Sequence, residues 1–214
     1  MKKIPAIVFL TVCFSANLFA AGFSLEDFLE RMNDNEKKIT ALEFEFKQDI
    51  VFTLTREKQT VSGKILFKKP SSMKFSQVLP DEQYIISNGK KVWIYNPAYR
   101  QVIVDSWAKW TKNSMVPASL MNFGNSVDDL KKNYEISYLE QDGEDTVLLL
   151  SPLKDNAWKL KLWISRDFNI SKTVLTGENI TVNTTASNYK INPAADDSIF
   201  NFKPPQGVQS LEMP

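Results

Sequence analysis

The stretch YIISNGKKVWIYNP, residues 84–97, decides the fold of this chain. Asn88-Gly89 lies between two runs of β-branched and aromatic residues, at 84–86 and 92–95. Such an arrangement is typical of a β-hairpin with a two-residue type I′ turn. The sequence therefore predicts two antiparallel strands here, and Asn96-Pro97 ends the second of them.

The same period of two recurs along most of the chain. Apolar residues alternate with polar ones, as in half-buried strands, over residues 41–47, 61–67, 73–75, 101–104, 134–139, 146–150, 160–165, 170–176 and 180–189. With turns at Asp142-Gly143 and Arg166-Asp167, these segments predict a meander of roughly ten antiparallel strands. After residue 200, Pro204, Pro205 and Gly207 are expected to stop any further regular pairing.

A signal peptide is predicted at the N-terminus. Met1-Lys2-Lys3, an apolar run over 4–19 and the small pair Ala20-Ala21 follow the charge, core and cleavage order of exported proteins. We expect residues 1–20 to be removed and residues 21–214 to form one domain. Lipidation of Cys13 is the less favoured alternative, because Val12 rather than a small residue precedes it. No later stretch reaches about 18 apolar residues, so a membrane span is not expected.

A helix is predicted next. Ser24 followed by Asp27 is a helix-start signal, and the apolar residues after it recur at helical spacing. They are Leu25, Phe28, Leu29 and Met32. The charged stretch 33–38 is expected to end this amphipathic helix.

The composition argues against catalysis. The chain has no histidine, and its single cysteine lies in the signal segment. Serine triads, cysteine nucleophiles and zinc or copper sites depend on those side chains. The pairs Asp128-Asp129 and Asp196-Asp197 fit helix starts better than a catalytic site, since adjacent carboxylates point in different directions. We expect a protein that is not an enzyme and uses no cofactor or metal. The formal net charge of +1 indicates no nucleic-acid partner.

The alternation stops over residues 107–133, where short helices are predicted at 116–121 and 127–132. This insert is either a crossover loop that covers one end of the sheet or a lid. Its many apolar residues favour a lid, and methionine suits a surface that adapts to varied apolar ligands. They are Met115, Val116, Leu120, Met121 and Phe123. The 5 Trp, 6 Tyr and 14 Phe residues fit either a filled barrel or a half-open one that binds an apolar ligand.

Several motifs occur in order along the chain. They are Phe44-x-Phe46-x-Gln48, Gly63-x-Ile65-x-Phe67-x-Lys69-Pro70, Asn88-Gly89-Lys90-x-Val92-Trp93-x-Tyr95-Asn96-Pro97 with Gln101 following, Pro117, and Phe200-x-Phe202-x-Pro204-Pro205-x-Gly207. Each is weak alone, but together they resemble the periplasmic outer-membrane lipoprotein carrier family, LolA. The match spans nearly the whole chain after the signal segment.

The resemblance implies a mainly β fold, an incomplete antiparallel β-barrel of about eleven strands, with short helices that form a lid over an apolar cavity. It also implies a periplasmic carrier that accepts acylated lipoproteins from an inner-membrane ABC transporter and delivers them to an outer-membrane lipoprotein receptor. We expect the carrier to act as a monomer.

The resemblance further implies site residues. The side chains expected to line the acyl-chain cavity are Phe44, Phe46, Ile65, Phe67, Met73, Phe75, Trp93, Tyr95, Leu120 and Met121. Strand phase places Ile65 and Phe67 on one face, whereas the inward or outward direction of Trp93 and Tyr95 stays open.

A lid latch is also implied. The family's latching arginine stands directly before the proline of the Lys-Pro motif, and this chain has Lys69 there. We expect Lys69 to latch residues 117–122, which include Pro117, with a compact charge in place of the planar arginine fork.

Two other functions remain open at this point. One is an envelope domain that binds lipid or senses lipoproteins as a regulator. The other is a carrier of glycolipid or free fatty acid rather than of lipoprotein.

Overall fold

The computed structural model describes residues 24–113, 127–154 and 157–213. Within these ranges twelve strands form one sheet. They are β1 Ala41–Phe52, β2 Lys58–Lys68, β3 Ser72–Leu79, β4 Gln83–Asn88, β5 Lys91–Asn96, β6 Gln101–Ser106, β7 Tyr134–Asp142, β8 Asp145–Pro152, β9 Trp158–Ile164, β10 Ile170–Gly177, β11 Ile180–Ile191 and β12 Gln209–Glu212. The helices are α1 Leu25–Lys37, α2 Trp107–Asn113, α3 Val127–Asn133 and a 3₁₀ turn at Asp197–Phe200.

The sheet is open, as the family resemblance implied. Its strand order is β12-β6-β5-β4-β3-β2-β1-β11-β10-β9-β8-β7, so β12 and β7 are its two edges and do not pair with each other. All neighbours are antiparallel except β12, which runs parallel to β6. The architecture is therefore an incomplete barrel, and the prediction of the fold class is confirmed.

The C-terminal strand contradicts the expectation that pairing stops after residue 200. Gly207 adopts a positive φ of 76°, and the Val208 amide donates to the carbonyl of Pro205 at 3.2 Å. This turn directs the chain back to the sheet, where the Gln209 amide donates to the Arg100 carbonyl at 2.9 Å. The prolines and the glycine thus redirect the chain to the edge of β6 rather than end the pairing.

The hairpin at residues 84–97 is confirmed, but its turn is not of type I′. Strand β4 runs through Asn88 and β5 begins at Lys91, so the two connecting residues are Gly89 and Lys90 rather than Asn88 and Gly89. Of Asn88 and Gly89, the glycine alone has a positive φ, 82°. The side-chain oxygen of Asn88 instead accepts from the amides of Lys90 and Lys91, both at 3.0 Å. An Asx turn therefore closes this hairpin.

Helix α1 begins as predicted and ends later. The Ser24 hydroxyl accepts from the Asp27 amide at 3.2 Å, which satisfies a free N–H of the first turn. The helix continues through the charged stretch to Lys37. Asp34 and Lys37 form an ion pair at 2.8 Å one turn apart, and both side chains are exposed. Polar and charged side chains on the solvent side of a helix, such as this ion pair, do not by themselves end it, so the predicted boundary was wrong.

The pairs Asp128-Asp129 and Asp196-Asp197 both lie at helix starts, as predicted. The Asp196 carboxylate accepts from the Ser198 amide at 2.8 Å at the start of the 3₁₀ turn, and hydrogen bonds from Ser198 lower the pKa of Asp196. Helix α3 covers the segment predicted at 127–132. Helix α2 was not predicted. The helix predicted at 116–121 lies outside the described residues.

The register divides the sheet into two faces. We call inner the face that carries Phe44, because both apolar core clusters of the described residues lie on it. On the half formed by β7 to β10, Leu29 of α1 packs against residues of β8 and β9. On the other half, Trp107 of α2 packs with Met73 and Val92. None of the described helices is both long and apolar enough to span a membrane.

Candidate functional site

Six of the predicted cavity residues share the inner face. Across β1, β2 and β3 the register pairs Phe44 with Ile65 and Ile65 with Phe75. It also pairs Phe67 with Met73. Because residues two apart on a strand share a face, Phe46 belongs to the same surface. The sequence-predicted residues at 44, 46, 65, 67, 73 and 75 are thus brought together into one apolar surface.

Aromatic contacts connect this surface across strands. The rings of Phe46 and Phe75 stack with centroids 5.0 Å apart, although their strands are separated by β2. They meet next to Gly63, which pairs with Phe46 and presents no side chain. The ring of Phe44 lies 6.4 Å from that of Phe67. Because Gly63 has no side chain, the two rings can meet over the middle strand.

Tyr189 belongs to this surface, and the sequence did not indicate it. A bulge in β11 at Asn188, whose φ is 55°, brings Tyr189 opposite Phe44, and the two rings stack at 5.1 Å. The Tyr189 hydroxyl donates to the carbonyl of Ile170. Burial raises the pKa of Tyr189 far above its usual value, so the phenol stays neutral. Asparagine tolerates the positive φ found at position 188, but the presence of an asparagine does not by itself locate a bulge in the sequence.

Trp93 and Tyr95 do not join the surface. Trp93 pairs with Ile86, and Ile86 pairs with Lys74, which puts them out of phase with Met73 and Phe75. Both residues share a face, as predicted, but it is the outer one. The Tyr95 ring stacks with that of Tyr84 at 6.1 Å and lies 5.1 Å from that of Phe202 in the C-terminal segment. The structure therefore separates Trp93 and Tyr95 from the other predicted cavity residues and places them in an outer aromatic cluster.

Two helices cover parts of the inner face. The apolar side of α1, with Phe28, Leu29 and Met32, packs on the strands from β7 to β10. Phe28 also contacts Phe168 in the β9–β10 turn, with ring centroids 5.5 Å apart. The amine of Lys131 in α3 donates hydrogen bonds to both carboxylate oxygens of Glu26, at 2.7 and 2.8 Å. Helix α1 thus lies over the apolar face and is joined to α3 by this ion pair.

Lys69 is bonded to the end of α1. Its amine donates to the backbone carbonyl of Glu36 at 2.8 Å and lies 2.6 Å from the Glu36 carboxylate. Both side chains are about three-quarters buried, with relative exposures of 26%. A cation at a helix C-terminus also interacts favourably with the helix dipole. The predicted partner segment 117–122 lies outside the described residues, as do Pro117, Leu120 and Met121. That pairing stays a prediction, and Glu36 is the partner that the structure adds.

Asn192 holds the α1–β1 connection from the other side. Its side-chain oxygen accepts from the amides of Thr40 at 2.7 Å and Ala41 at 3.2 Å. Its side-chain amide donates to the carbonyl of Lys38 at 3.1 Å. The end of α1 is therefore fixed to β2 through Lys69 and to β11 through Asn192.

Replacing Asn192 by alanine should lower the free energy of unfolding by about 2 kcal/mol, because two backbone amides and a helix-end carbonyl lose their partner. Urea unfolding measures it. Asn188→Ala is the matched control: Asn188 also has a positive φ, but its side chain bonds Glu45 on the exposed surface. An equal loss in both variants would mean that backbone conformation, rather than the bonds of Asn192, accounts for the effect.

Comparison with known proteins agrees with this geometry. A sequence model of the family described as "Outer membrane lipoprotein carrier protein LolA" matches residues 37–203. The outer-membrane lipoprotein carrier protein of Cronobacter sakazakii is 26% identical over 208 residues, which are 97% of this chain and 96% of that protein. The protein of the same name from Idiomarina loihiensis is 28% identical over 205 residues, 95% of this chain and 96% of its own length.

A solved structure extends the likeness of the fold. An uncharacterized conserved protein from Thermus thermophilus superposes with a TM-score of 0.58 at 8% identity. The match covers 89% of this chain and 100% of that one. At this level of identity the likeness concerns the fold alone.

Proposed function

Since this chain belongs to the LolA family of outer membrane lipoprotein carrier proteins, we propose that it carries lipoproteins through the periplasm with their acyl chains against the inner face. The apolar surface that joins β1, β2 and β3 on the inner face supports this proposal most directly. Its aromatic and aliphatic side chains come from Phe44, Phe46, Ile65, Phe67, Met73 and Phe75. Binding rather than catalysis is the function proposed.

The physics of acyl chains makes a carrier necessary. Each buried CH₂ group is worth about 0.8 kcal/mol, so a lipoprotein with several long chains does not leave a membrane at a useful rate alone. A face that supplies apolar contacts lowers this cost. Because the chains must later be released, the face has to hold them less tightly than the final membrane does.

Competition between α1 and the acyl chains provides a route to release. Chains that extend from this surface across the inner face and enter between α1 and strands β7 to β10 must displace contacts such as those of Leu29. Whatever ties α1 to the sheet therefore opposes cargo binding and favours release. The bonds of Lys69 to Glu36 act in this direction, and we propose Lys69 as the latch on this basis.

Replacing Lys69 by leucine should slow the release of lipoprotein about tenfold, because a charged hydrogen bond that favours the closed position of α1 is lost. Lys69→Arg keeps the charge and should differ little from the wild type. Transfer of radiolabelled lipoprotein from the purified carrier to outer-membrane fractions measures the rate. If neither variant differs from the wild type, Lys69 is not a latch.

The remaining steps concern location and partners. We propose that residues 1–20 direct export and are removed, and that residues 21–214 act as a monomer in the periplasm. The cargo is taken to arrive from an inner-membrane ABC transporter and to pass to an outer-membrane lipoprotein receptor. Membership in the carrier family supports the proposal of both partners.

Depletion of the protein tests the function. Lipoproteins destined for the outer membrane should accumulate in the inner membrane, as measured by membrane fractionation. Unchanged lipoprotein distribution would contradict the carrier function.

Mass spectrometry of material that co-purifies from the periplasm separates the alternatives. Acylated peptides support the lipoprotein carrier, whereas free lipid alone supports a glycolipid or fatty-acid carrier. A regulatory domain would bind cargo but leave the distribution of lipoproteins normal after depletion.

A further inference from the structure

Large apolar side chains are exposed at one end of the sheet. Leu54 in the β1–β2 turn is 80% exposed, and Tyr99 in the β5–β6 turn is 78% exposed. Leu79, next to the β3–β4 turn, is 53% exposed, and Val78 beside it is also exposed. We call these three turns with their flanking residues, 53–58, 78–82 and 97–100, the tip rim. Several large apolar side chains exposed close together on a protein surface often mark a site of interaction with a protein or a membrane.

The topology makes these turns neighbours. Strand β2 pairs with β3, and β4 pairs with β5, so the three hairpins follow one another along the sheet. With strands about 4.8 Å apart, successive tips are separated by roughly 10 Å. Helix α1 leads into the opposite end of β1, and α2 follows β6 at that same opposite end. The chain therefore passes from α1 into β1, and from β6 into α2, at the end of the sheet away from the tip rim.

The charges of the tip rim are balanced. Its basic residues are Arg56, Lys58 and Arg100, and its acidic residues are Glu57, Asp81 and Glu82. Glu82 accepts a hydrogen bond from the Tyr84 hydroxyl. A balanced set gives no strong attraction for either an acidic or a basic partner. Apolar contact is thus the main interaction that this surface offers.

We propose that the tip rim is a membrane-contact surface that inserts its apolar tips shallowly into the lipid headgroup region. The exposed apolar side chains lie in or beside three separate hairpin turns. A protein partner would need matching pockets for each of them, whereas a fluid lipid surface accepts protruding side chains without shape matching. Tyrosine and arginine side chains, such as Tyr99 and Arg100, are suited to the interface between lipid and water.

The inner face reaches the same rim. Ile50 and Phe52 continue the phase of Phe44 and Phe46 along β1, and Phe52 is exposed at the strand end. Contact at the tip rim would bring this end of the apolar face to the lipid surface. This step rests on the proposed function, but attachment of the protein to lipid does not.

Vesicle sedimentation tests the proposal. The protein is purified from the periplasm of cells that express the whole chain and is freed of bound lipid. It is mixed with vesicles of phosphatidylethanolamine containing some phosphatidylglycerol, and separately with vesicles of phosphatidylcholine alone. We expect binding to both, with little dependence on salt. Leu54→Ser, Leu79→Ser and Tyr99→Ser combined should weaken it about fivefold.

Met213→Ser is the matched control. Met213 is 55% exposed, much like Leu79, but it follows β12, toward the opposite end of the sheet. It should bind like the wild type. A wild-type protein that stays in solution at all lipid concentrations overturns the proposal. Binding that requires phosphatidylglycerol and disappears in salt overturns it too.

A labelling measurement covers the case in which the triple variant does not fold. The one native cysteine, Cys13, lies in the predicted signal segment. An environment-sensitive dye on Leu54→Cys should shift to the blue on addition of vesicles, and the same dye on Met213→Cys should not. Equal shifts, or no shift at Leu54→Cys, contradict insertion of the tip rim. Failure of lipoprotein transport with normal vesicle binding would count against the proposed function and leave this inference intact.

Discussion

Replacing Gly63 by alanine should lower the free energy of unfolding by about 4 kcal/mol, because β3 passes too close to β2 for any side chain. A Cβ atom at Gly63 would lie 2.0 Å from the carbonyl oxygen of Ser76 and 2.9 Å from the Cα of Gln77. Both atoms belong to the backbone, so a side-chain rotation does not relieve the contact. The strands would have to separate where Phe46 and Phe75 stack across Gly63.

Gly177→Ala is the matched control, since Gly177 also lies in a strand. A Cβ atom there would lie 3.3 Å from a methyl group of Ile180, which has room to adjust. We expect a change within about 0.5 kcal/mol. Urea unfolding of both variants gives the comparison. Equal stability of the two alanine variants would mean that the close approach of β3 does not govern the stability of the inner face.

Local patterns were sufficient for most of the sheet. The alternation predicted the strands that carry Phe44, Phe67 and Phe75, and residue parity then placed these side chains on one face. Odd and even positions identify the two faces there because no bulge interrupts the pairing of β1 with β2. A regular strand with one apolar side therefore reveals its buried face from the sequence alone.

Pairing across strands decided what local patterns left open. Trp93 lies in a strand whose two faces are both apolar, because the C-terminal segment covers the outer one near Tyr95. Alternation does not distinguish the faces of such a strand. Tyr189 reached the inner face through a bulge at Asn188, and a single extra residue reverses parity beyond it. Both outcomes depend on contacts between residues far apart in the chain.

The partner of Lys69 also depends on a distant contact. The motif located the residue, but Glu36 became its partner because α1 runs past the predicted end to Lys37. The extra turn brings the helix C-terminus to the end of β2. A boundary error of one turn thus concealed an ion pair at the site, since charged residues were interpreted as a helix end rather than as a helix surface.

Replacing Ile65 by aspartate should weaken the binding of acyl chains about thirtyfold, or by about 2 kcal/mol, because an ionised carboxylate on the inner face must be desolvated when a chain packs on it. Ile65 lies between Phe44 on β1 and Phe75 on β3 and is half-buried. Binding of a synthetic triacylated lipopeptide to the purified protein measures the effect. Ile65→Leu keeps an apolar side chain of the same volume and should bind like the wild type.

Ser62→Asp provides the control for charge, because Ser62 is also half-buried on β2 but lies on the outer face. It adds the same carboxylate without placing it against the acyl chains, so lipopeptide binding should change by less than about threefold. Circular dichroism and urea unfolding show whether each variant is folded. If the two aspartate variants lose binding equally while both remain folded, the inner face near Ile65 does not hold the chains. If Ile65→Asp alone loses binding, the acyl-chain site lies where β1, β2 and β3 bring their aromatic rings together.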